Sequence, residues 1–377
     1  VSTWDGSTWS NGSPNKQIAI VINGDYDTAL NGSFECCSLV VNSGFNFDIQ
    51  ADNYVLVVNE LTNNGTFSIF NNGSLIQEND MAINTGTISY ERIASVRLQD
   101  YVYWSSPISG FDVNDISPLT PSAFYWTWNP TALNSNSGQG NWVNASSIMD
   151  PGVGYIVRAP NGFSNTVNQN WVVNFNNGVP NNGVYSPVIS RGDNLNSGAV
   201  SSSGITLTDT DDNWNLIGNP YPSAINAEDF LNAPENDKLE GAVYIWSRAN
   251  AISDAAADPY YDDFSYNYPD SYITFNSTGS NPPNFNGNIA AGQSFFVKVD
   301  DASSAGDILF SNTMRFDNSG DVYDNSEFFS PQILSINDEK QLIWLSVVDA
   351  SNNSATTLVG FVNGATKERD RSYDAYM

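Results

Sequence analysis

Two parts of the sequence carry the same three motifs in the same order. Each part has an apolar run that ends in proline, then an aromatic run, then a glycine turn that leads into a second aromatic run. The paired segments are 101–107 with 214–220, 124–126 with 243–246, and 151–157 with 291–297. Self-similarity at this scale is the signature of a repeated supersecondary unit. The sequence therefore predicts a β-module that occurs twice.

The distance between paired motifs increases along the chain, which predicts an insertion in the second copy at 251–285. This segment is rich in Tyr, Asp, Asn and Pro. Loops of that length usually serve a function or are mobile, so ligand specificity is expected there if the two copies are interchangeable scaffold. Earlier in the second copy, the pattern of 223–231 fits two helical turns, with Ser223 or Asn226 as the N-cap.

The predicted fold class is all-β, and the chain divides into four parts. They are a β-helix-like or sandwich unit at 1–95, a first β-sandwich module at 96–200, a second at 201–330, and strands at 331–377 that complete the second module or start a further domain. In the first unit, short alternating runs are separated by turns such as Asn64-Gly65. Such runs suit a parallel β-helix, and a small antiparallel sandwich explains them less economically.

Acidic residues dominate the charge of the chain. It has 41 Asp and Glu against 13 Lys and Arg, a formal net charge of −28, and no histidine. Phosphate backbones and anionic membranes repel such a chain, so nucleic acid is not expected as a partner, whereas divalent cations are attracted. Without histidine the chain cannot supply a Ser-His-Asp or Cys-His nucleophile. An apolar run of about 18 residues is also absent, so no membrane span is expected.

The two cysteines, Cys36 and Cys37, are adjacent in the sequence. Neighbouring residues on a strand point to opposite faces, so this pair cannot link distant segments. One buried thiol and one thiol near the surface are predicted, with an intermolecular disulfide as the alternative.

Several multi-residue motifs resemble segments of large secreted and surface proteins of Bacteroidota that are exported by the type IX secretion system. The segments that carry the resemblance are 3–14, 213–223, 289–297, 342–345, 358–366 and 370–374. The resemblance implies export to the cell surface or medium, usually through a C-terminal sorting domain. The pattern of that domain is not found here, and the start at Val1 without a signal peptide is expected of a processed or excerpted piece. Because the matching motifs are turns and strands, no catalytic residues are carried over.

Aromatic residues in the duplicated modules are the first candidates for a binding site. Consecutive strand residues face opposite ways, so Tyr125 and Trp126 cannot both lie in the core. Exposed rings can stack on sugars, since both surfaces are flat and partly apolar. The sugar-binding candidates are Trp126, Trp128, Trp246, Tyr260 and Tyr261. The alternative is that loops or the adjoining module bury these rings.

Two acidic loops are the second candidates, for calcium. Calcium takes about six to eight oxygen ligands, and both loops have closely spaced carboxylates, although neither matches a full EF-hand. The candidate ligands are Asp209, Asp211 and Asp212 in the first loop and Asp317, Asp321 and Asp324 in the second. Solvated acidic turns are the alternative. Calcium is the only cofactor that the sequence suggests.

Two further patterns in the sequence bear on function. Adjacent carboxylates such as Asp262-Asp263 do not create two groups facing across the gap of about 5–10 Å that glycosidases need, so glycosidase chemistry is not favoured. Asp27-Thr28-Ala29 fits the short O-glycosylation pattern that the Bacteroidota resemblance implies, which makes Thr28 a candidate for sugar attachment.

The sequence favours a non-catalytic extracellular surface, adhesin or filament protein. Serial modules give long contact surfaces without one deep pocket, the commonest catalytic side chain is absent, and the loops are acidic and polar. The expected partners are other surface-protein copies, or glycans of the cell surface or matrix. The alternative is a carbohydrate-binding accessory region of a secreted polysaccharide-degrading enzyme.

Overall fold

The chain up to Val96 winds into a β-solenoid. The structure is a computed structural model. It describes residues 1–193, 197–201, 204–247, 252–253, 256, 259, 261–262, 267, 272–283, 285–326, 328, 341–348, 354–362, 365–366 and 370–375. The solenoid strands are β1 (Ser2–Trp4), β2 (Ile20–Ile22), β3 (Tyr26–Asp27), β4 (Phe34–Cys36), β5 (Leu39–Val41), β6 (Asn46–Ile49), β7 (Tyr54–Val57), β8 (Leu61–Asn63), β9 (Thr66–Ile69), β10 (Ser74–Gln77) and β11 (Ile88–Val96). The short helix α1 (Thr28–Asn31) follows β3. Of the two alternatives predicted for this unit, the solenoid is the one observed.

Successive turns of the solenoid stack in parallel. The strand orders are β1-β2-β5-β8, β3-β6-β9-β11 and β4-β7-β10, with a repeat of about 20 residues. Equivalent inward residues form ladders, as where the Phe47 ring lies 4.8 Å from Phe67 on the next turn. A Cβ at Gly65 would lie 2.5 Å from the Phe45 carbonyl oxygen. The Asn-Gly turn therefore has glycine because two turns of chain pass too closely for a side chain.

The cysteine prediction is confirmed in this unit. Cys36 is buried and Cys37 is partly exposed, and both thiols are free. Burial raises the pKa of the Cys36 thiol, with a further contribution from Cys37, because desolvation disfavours the thiolate.

Asp48, on β6, points away from the core and gives the solenoid a pH-dependent contribution. Partial burial raises the pKa of this carboxyl, the hydrogen bond from Ser68 lowers it, and the charges of Asp27 and Asp25 raise it. A raised pKa means that the folded state binds the proton more tightly than the unfolded chain. The ionised form therefore destabilises the fold, and that cost disappears as the pH falls through the folded pKa.

We expect Asp48→Asn to raise the melting temperature at pH 7. The gain in stability is at most about 1 kcal/mol, since the carboxyl is only half-buried and solvent screens it. The gain should vanish below the ordinary aspartate pKa of 3.8. Thermal unfolding followed by circular dichroism between pH 3 and pH 7 checks this, with the exposed Asp115→Asn as control. A gain that is independent of pH would contradict the assignment.

The two sequence copies form two sheets with equivalent strand order. The next strands along the chain are β12 (Tyr101–Trp104), β13 (Tyr125–Leu133), β14 (Gln139–Asn144), β15 (Tyr155–Arg158), β16 (Gln169–Gly178), β17 (Val188–Ile189), β18 (Trp214–Gly218), β19 (Ile225–Asn226), β20 (Leu239–Trp246), β21 (Tyr272–Asn276), β22 (Gly279–Asn281), β23 (Asn288–Ile289), β24 (Ser294–Val299) and β25 (Gly306–Asp307). The first sheet has the order β12-β15-β13-β14, and the second has β18-β24-β20-β21-β22. The paired motifs thus occupy matching strands, and the all-β prediction is confirmed.

The predicted insertion at 251–285 is partly described. Its end forms β21 and β22, which extend the second sheet, while most of 251–271, including Tyr260, lies outside the described residues. β21 occupies the place that β14 has in the first sheet, so β22 is an additional edge strand of the second copy.

The two sheets pack against each other through one aromatic face each. Tyr103 on β12 stacks on Trp246 of β20, with ring centroids 5.6 Å apart. Trp128 on β13 approaches Phe296 of β24 at the same distance. The two copies therefore form a sandwich together, with each contributing one layer.

The opposite faces of the two sheets have different neighbours. Trp104 on β12 lies 5.3 Å from Trp171 on β16, and β16 pairs antiparallel with solenoid strand β11. Residues 169–178, which the sequence assigns to the first copy, thus extend a solenoid sheet. On the second sheet, Phe295 packs against Phe230. The first sheet therefore lies between the solenoid and the second sheet.

Phe230 belongs to the helix α2 (Ala227–Asn232), which covers the outer face of the second sheet. Asn226 caps this helix, since its side chain accepts hydrogen bonds from the amides of Glu228 and Asp229. The predicted helix and one of its two predicted caps are confirmed. Short 3₁₀ segments occur at Val113–Ile116, Ser122–Phe124, Asp211–Asn213, Pro234–Asn236 and Asn312–Arg315.

A buried arginine joins the solenoid to the second copy. Arg315 Nε donates to Ser223 Oγ at 2.8 Å, Nη1 donates to Asn312 Oδ1 at 3.0 Å, and Nη2 donates to the carbonyl oxygen of Leu75 at the end of the solenoid. Its guanidinium carbon lies 4.6 Å from the Tyr221 ring centroid. The side chain is fully buried, so these contacts offset the cost of removing a charge from water.

The C-terminal segment, 331–377, contributes the hairpin of β26 (Gln341–Val348) and β27 (Ser354–Phe361). Trp344 Nε1 donates to the Ser280 carbonyl oxygen at 3.1 Å, which fixes the hairpin against β22. The part of the segment that precedes β26 lies outside the described residues.

After the hairpin, residues 370–375 return to the second copy. The Arg371 guanidinium donates to the carbonyl oxygens of Leu231, Leu239 and Asn236. Of the two alternatives for the C-terminal segment, these contacts favour the one in which it completes the second copy.

Candidate functional site

Two of the predicted sugar-binding residues, Trp128 and Trp246, lie in the layer between the two sheets. We call this the aromatic layer; its members are Tyr103, Trp128, Trp142, Trp246, Tyr272 and Phe296. Phe296 lies at its centre, with its ring 5.6 Å from Trp128 and 5.8 Å from Trp142. Most pairs meet edge to face, the geometry that aromatic quadrupoles favour. The layer is therefore a packed core.

Burial corrects the expectation for two of the five candidates. Trp128 is 8% exposed and Trp246 is 7% exposed. Trp246 is held further by a 3.1 Å hydrogen bond from Nε1 to the Tyr101 carbonyl oxygen. Their ring faces are covered by the partner sheet, so neither offers a flat surface to a sugar.

Trp126 and Tyr261 are partly exposed and pack against the same core. Tyr261 lies 5.2 Å from Trp128, and its hydroxyl accepts a hydrogen bond from Trp142 Nε1 at 3.3 Å. Burial raises the pKa of Tyr261 to about 12. The remaining candidate, Tyr260, lies outside the described residues. Trp126 is thus the candidate that combines partial exposure with a place on a described strand.

An ion pair is buried at the edge of the same interface. Lys298 Nζ on β24 lies 3.5 Å from Glu240 Oε2 on β20, and both side chains are nearly inaccessible to water. The ammonium also lies 5.1 Å from the Trp214 ring centroid, a cation–π distance. Glu240 and Lys298 therefore stabilise each other's charged form in this site, from which water is excluded.

The first acidic loop uses its carboxylates within the turn. Asp211 Oδ2 accepts the Thr208 amide at 2.7 Å, and Asp209 is exposed. Asp212 is buried, and Gly192 packs so closely on its carboxylate that a Cβ there would lie 2.1 Å from Oδ2. The three aspartates therefore have different surroundings.

The second acidic loop is built in a similar way. Asp317 Oδ1 accepts the amides of Ser319 and Asp321 at 2.8 and 2.9 Å, and Asp324 accepts the amide of Ser326. Within the described ranges, no group of three or more acidic or cysteine side chains is arranged to hold a metal ion. Calcium binding stays a prediction.

The structure corrects the expectation for Thr28. This residue is 1% exposed, and its hydroxyl oxygen accepts the Gln50 amide of the next solenoid turn at 2.8 Å. In the folded chain the hydroxyl is occupied and covered, so it is not available for sugar attachment.

The C-terminal hairpin has an open apolar face that sequence reasoning did not single out. Its members are Ile343, Leu345, Val347, Val359 and Phe361, each between 41% and 75% exposed. Ile343 lies opposite Val359 in the antiparallel register. The other side of the hairpin contacts β22, where Leu342 lies against Gly279. Alternation along the strands predicted two faces, but not which of them would remain uncovered.

Neither hairpin strand contains an acidic or basic residue. This absence of charge contrasts with the net charge of −28 of the whole chain. Exposed apolar patches rimmed by polar surface commonly mark interaction sites. The open face is therefore the strongest candidate for a contact surface in the described part of the chain.

Comparison with known proteins places the chain in one family. A family model described as a domain of unknown function, DUF8693, matches residues 2–377. The chain belongs to this family. The match includes the solenoid, both sheets and the hairpin. Neither a curated protein nor a solved structure matches the chain. None of the described helices is long and apolar enough to cross a membrane.

Proposed function

We propose that the protein is a non-catalytic component of an extracellular surface or filament, and that the open face of the hairpin binds a second copy of the chain. The observation that carries this proposal is the exposed row of apolar side chains on β26 and β27. Burying such side chains contributes about 25 cal/mol per Å² of apolar area. Association is favoured because it removes these exposed apolar side chains from water.

Charge supports a contact at this face. Two copies with a net charge of −28 each repel one another, but at physiological ionic strength the repulsion is screened beyond about 8 Å. Close approach is therefore least costly where both surfaces lack charge. The hairpin strands meet that condition.

The edges of the hairpin support continued assembly. In the described ranges, β26 and β27 form a sheet only with each other, although the Thr356 carbonyl oxygen of β27 accepts a hydrogen bond from the Asn281 side chain of β22. Unpaired edges of apolar strands are templates for pairing with another chain. Face packing and edge pairing are both compatible with a filament.

We expect the chain to self-associate, and Val347→Lys to weaken that association roughly tenfold or more, since a charge would be buried at the contact. Sedimentation velocity over a concentration series measures this. Val188→Lys is the matched control, because Val188 is 74% exposed and Val347 is 75% exposed. Raising the salt concentration should strengthen association of the unmodified chain by screening the net charge.

A chain that stays monomeric at all concentrations would contradict the proposal, as would equal effects of the two lysine variants. Ile343→Lys provides a second variant on the same face, in case Val347→Lys alters folding. Thermal unfolding of each variant separates loss of association from loss of structure.

Extracellular location is part of this proposal and is supported by the resemblance to type IX secretion substrates of Bacteroidota. The alternative function, a carbohydrate-binding accessory region, is favoured by one observation. Trp126 remains partly exposed at the end of the first sheet. The residues next to Trp126 determine which kind of sugar could bind there.

A further inference from the structure

Arg158 lies at the end of the first sheet, on the face that carries Trp126. It is the last residue of β15 and pairs with Tyr101, the first residue of β12. Ile156, two residues earlier, pairs with Trp126, and residues two apart on a strand share a face. The guanidinium carbon lies 4.0 Å from the Phe124 ring centroid, a cation–π contact.

The Arg158 guanidinium has neutral partners. Nη2 donates to Asn161 Oδ1, while Nε is buried and has no hydrogen-bond partner among the described residues. Within the same ranges no carboxylate lies within ion-pair distance of it, whereas Lys16, Arg97 and Arg191 each have one. In so acidic a chain, a cation at a sheet end without an acidic partner can accept an anion from outside.

Three other described arginines, Arg92, Arg315 and Arg371, also lack a carboxylate within ion-pair distance, but their surroundings differ. Arg92 and Arg315 are at 0% exposure, whereas Arg158 retains 7%. Arg92 is held by the Asn325 carbonyl oxygen, and Arg315 by three acceptors. These two are enclosed structural groups. Arg371 is also partly exposed, but its guanidinium donates to three carbonyl oxygens. Arg158 is therefore the one that combines surface exposure with an unpaired Nε.

Trp126 is close enough to act together with Arg158. Diagonal neighbours on adjacent antiparallel strands are roughly 7–8 Å apart, within reach of long and aromatic side chains. The Tyr101 hydroxyl forms a hydrogen bond with the Trp126 side chain, which fixes the orientation of the indole. A partly exposed ring, a buried guanidinium and the Asn161 amide are thus gathered at one end of the sheet.

We propose that Arg158 and Trp126 form a binding site for a sugar that carries a single carboxylate, such as a terminal hexuronic acid. The carboxylate accepts charge-assisted hydrogen bonds from the guanidinium, the sugar ring stacks on the indole, and Asn161 bonds a hydroxyl group. A neutral sugar would leave the cation without an anion. A long polyanion would be repelled by the net charge of −28. The site is independent of the hairpin contact.

Titration of the full chain with methyl β-glucuronide and with methyl β-glucoside tests the proposal, because the two probes differ only at C6, which is a carboxylate in the first and a hydroxymethyl group in the second. Binding is followed through the indole N–H signals of the ¹⁵N-labelled protein. We expect the glucuronide to bind roughly tenfold more tightly or better. Arg158→Gln should reduce its affinity to that of the glucoside, and Trp126→Ala should weaken both.

Lys16→Gln, which removes a cation on the solenoid, serves as control and should leave both affinities unchanged. Arg158→Lys keeps the charge but loses the planar guanidinium, so we expect it to bind the glucuronide with intermediate affinity. This variant tests the proposal if Arg158→Gln fails to fold. Equal affinity for the two probes, binding of neither, or an unchanged affinity in Arg158→Gln would overturn the proposal. Self-association measured on the same variants should not change, so this result and that of the hairpin test are separable.

Discussion

Replacing Glu240 with glutamine is expected to lower the free energy of unfolding by about 3–5 kcal/mol, because it removes the carboxylate that faces the buried Lys298 ammonium. The two groups lie 3.5 Å apart and both are nearly inaccessible to water. They link neighbouring strands β20 and β24 at the interface of the two sheets. Urea unfolding of the purified variant, followed by tryptophan fluorescence, measures the loss.

The double variant Glu240→Leu with Lys298→Met separates the cost of an isolated charge from the contribution of the pair. Apolar replacement of a whole buried pair is often neutral or stabilising, so we expect the double variant to be more stable than Glu240→Gln. As a control, Glu78→Gln removes the nearer of the two carboxylates beside the partly exposed Lys16 and should cost less than about 1 kcal/mol. If Glu240→Gln costs no more than this control, the buried pair is not coupled as proposed.

Replacing Arg315 with methionine is expected to cost about 3 kcal/mol or more. Methionine fills much of the volume but makes none of the three hydrogen bonds of the guanidinium. The Leu75 carbonyl oxygen, Ser223 and Asn312 would then lose a charged donor, and each unsatisfied buried group costs about 1–3 kcal/mol. Removing the desolvated charge offsets part of this loss, since burial lowers the pKa of Arg315 to about 10.

The position of Arg315 also predicts which regions of the chain lose stability when it is replaced. It connects the last solenoid strands to the second copy, so Arg315→Met should increase amide hydrogen exchange near Leu75 and near Ser223 together. Lys16→Met, on the solenoid surface, is the control and should leave exchange in both regions unchanged. Protection that is retained at Leu75 in Arg315→Met would show that the solenoid end does not depend on this contact.

Local patterns predicted the strands well because strand formation depends on alternation and turn residues. The Asn-Gly turns predicted a stacked solenoid, and the close approach at Gly65 explains the need for glycine there. The paired motifs predicted two related modules, and they lie on matching strands of two sheets. Asn226 is one of the two N-caps that the local pattern predicts, because a cap requires only the next three residues.

The exposure of the functional candidates was not predictable from the sequence, because solvent accessibility is not a local property. Trp128 and Trp246 lie more than 100 residues apart in the sequence, and each is buried by the other sheet. Thr28 is covered because the next solenoid turn places the Gln50 amide against its hydroxyl. Arg158 carried no signal in the sequence, since its significance comes from the missing acidic partner and from Trp126 on the neighbouring strand.

By itself, the sequence determined that this chain is an acidic, repeat-built, all-β protein without a histidine-based nucleophile. Composition and alternation suffice for this, because they depend on residue types and short spacings. Only the tertiary structure decided that the repeated motifs form the two halves of one sandwich, with their aromatic rings inside. It also decided that one face of the C-terminal hairpin stays open. Alternation makes the two faces of a strand different, but what covers each face depends on segments that meet only when the chain has folded.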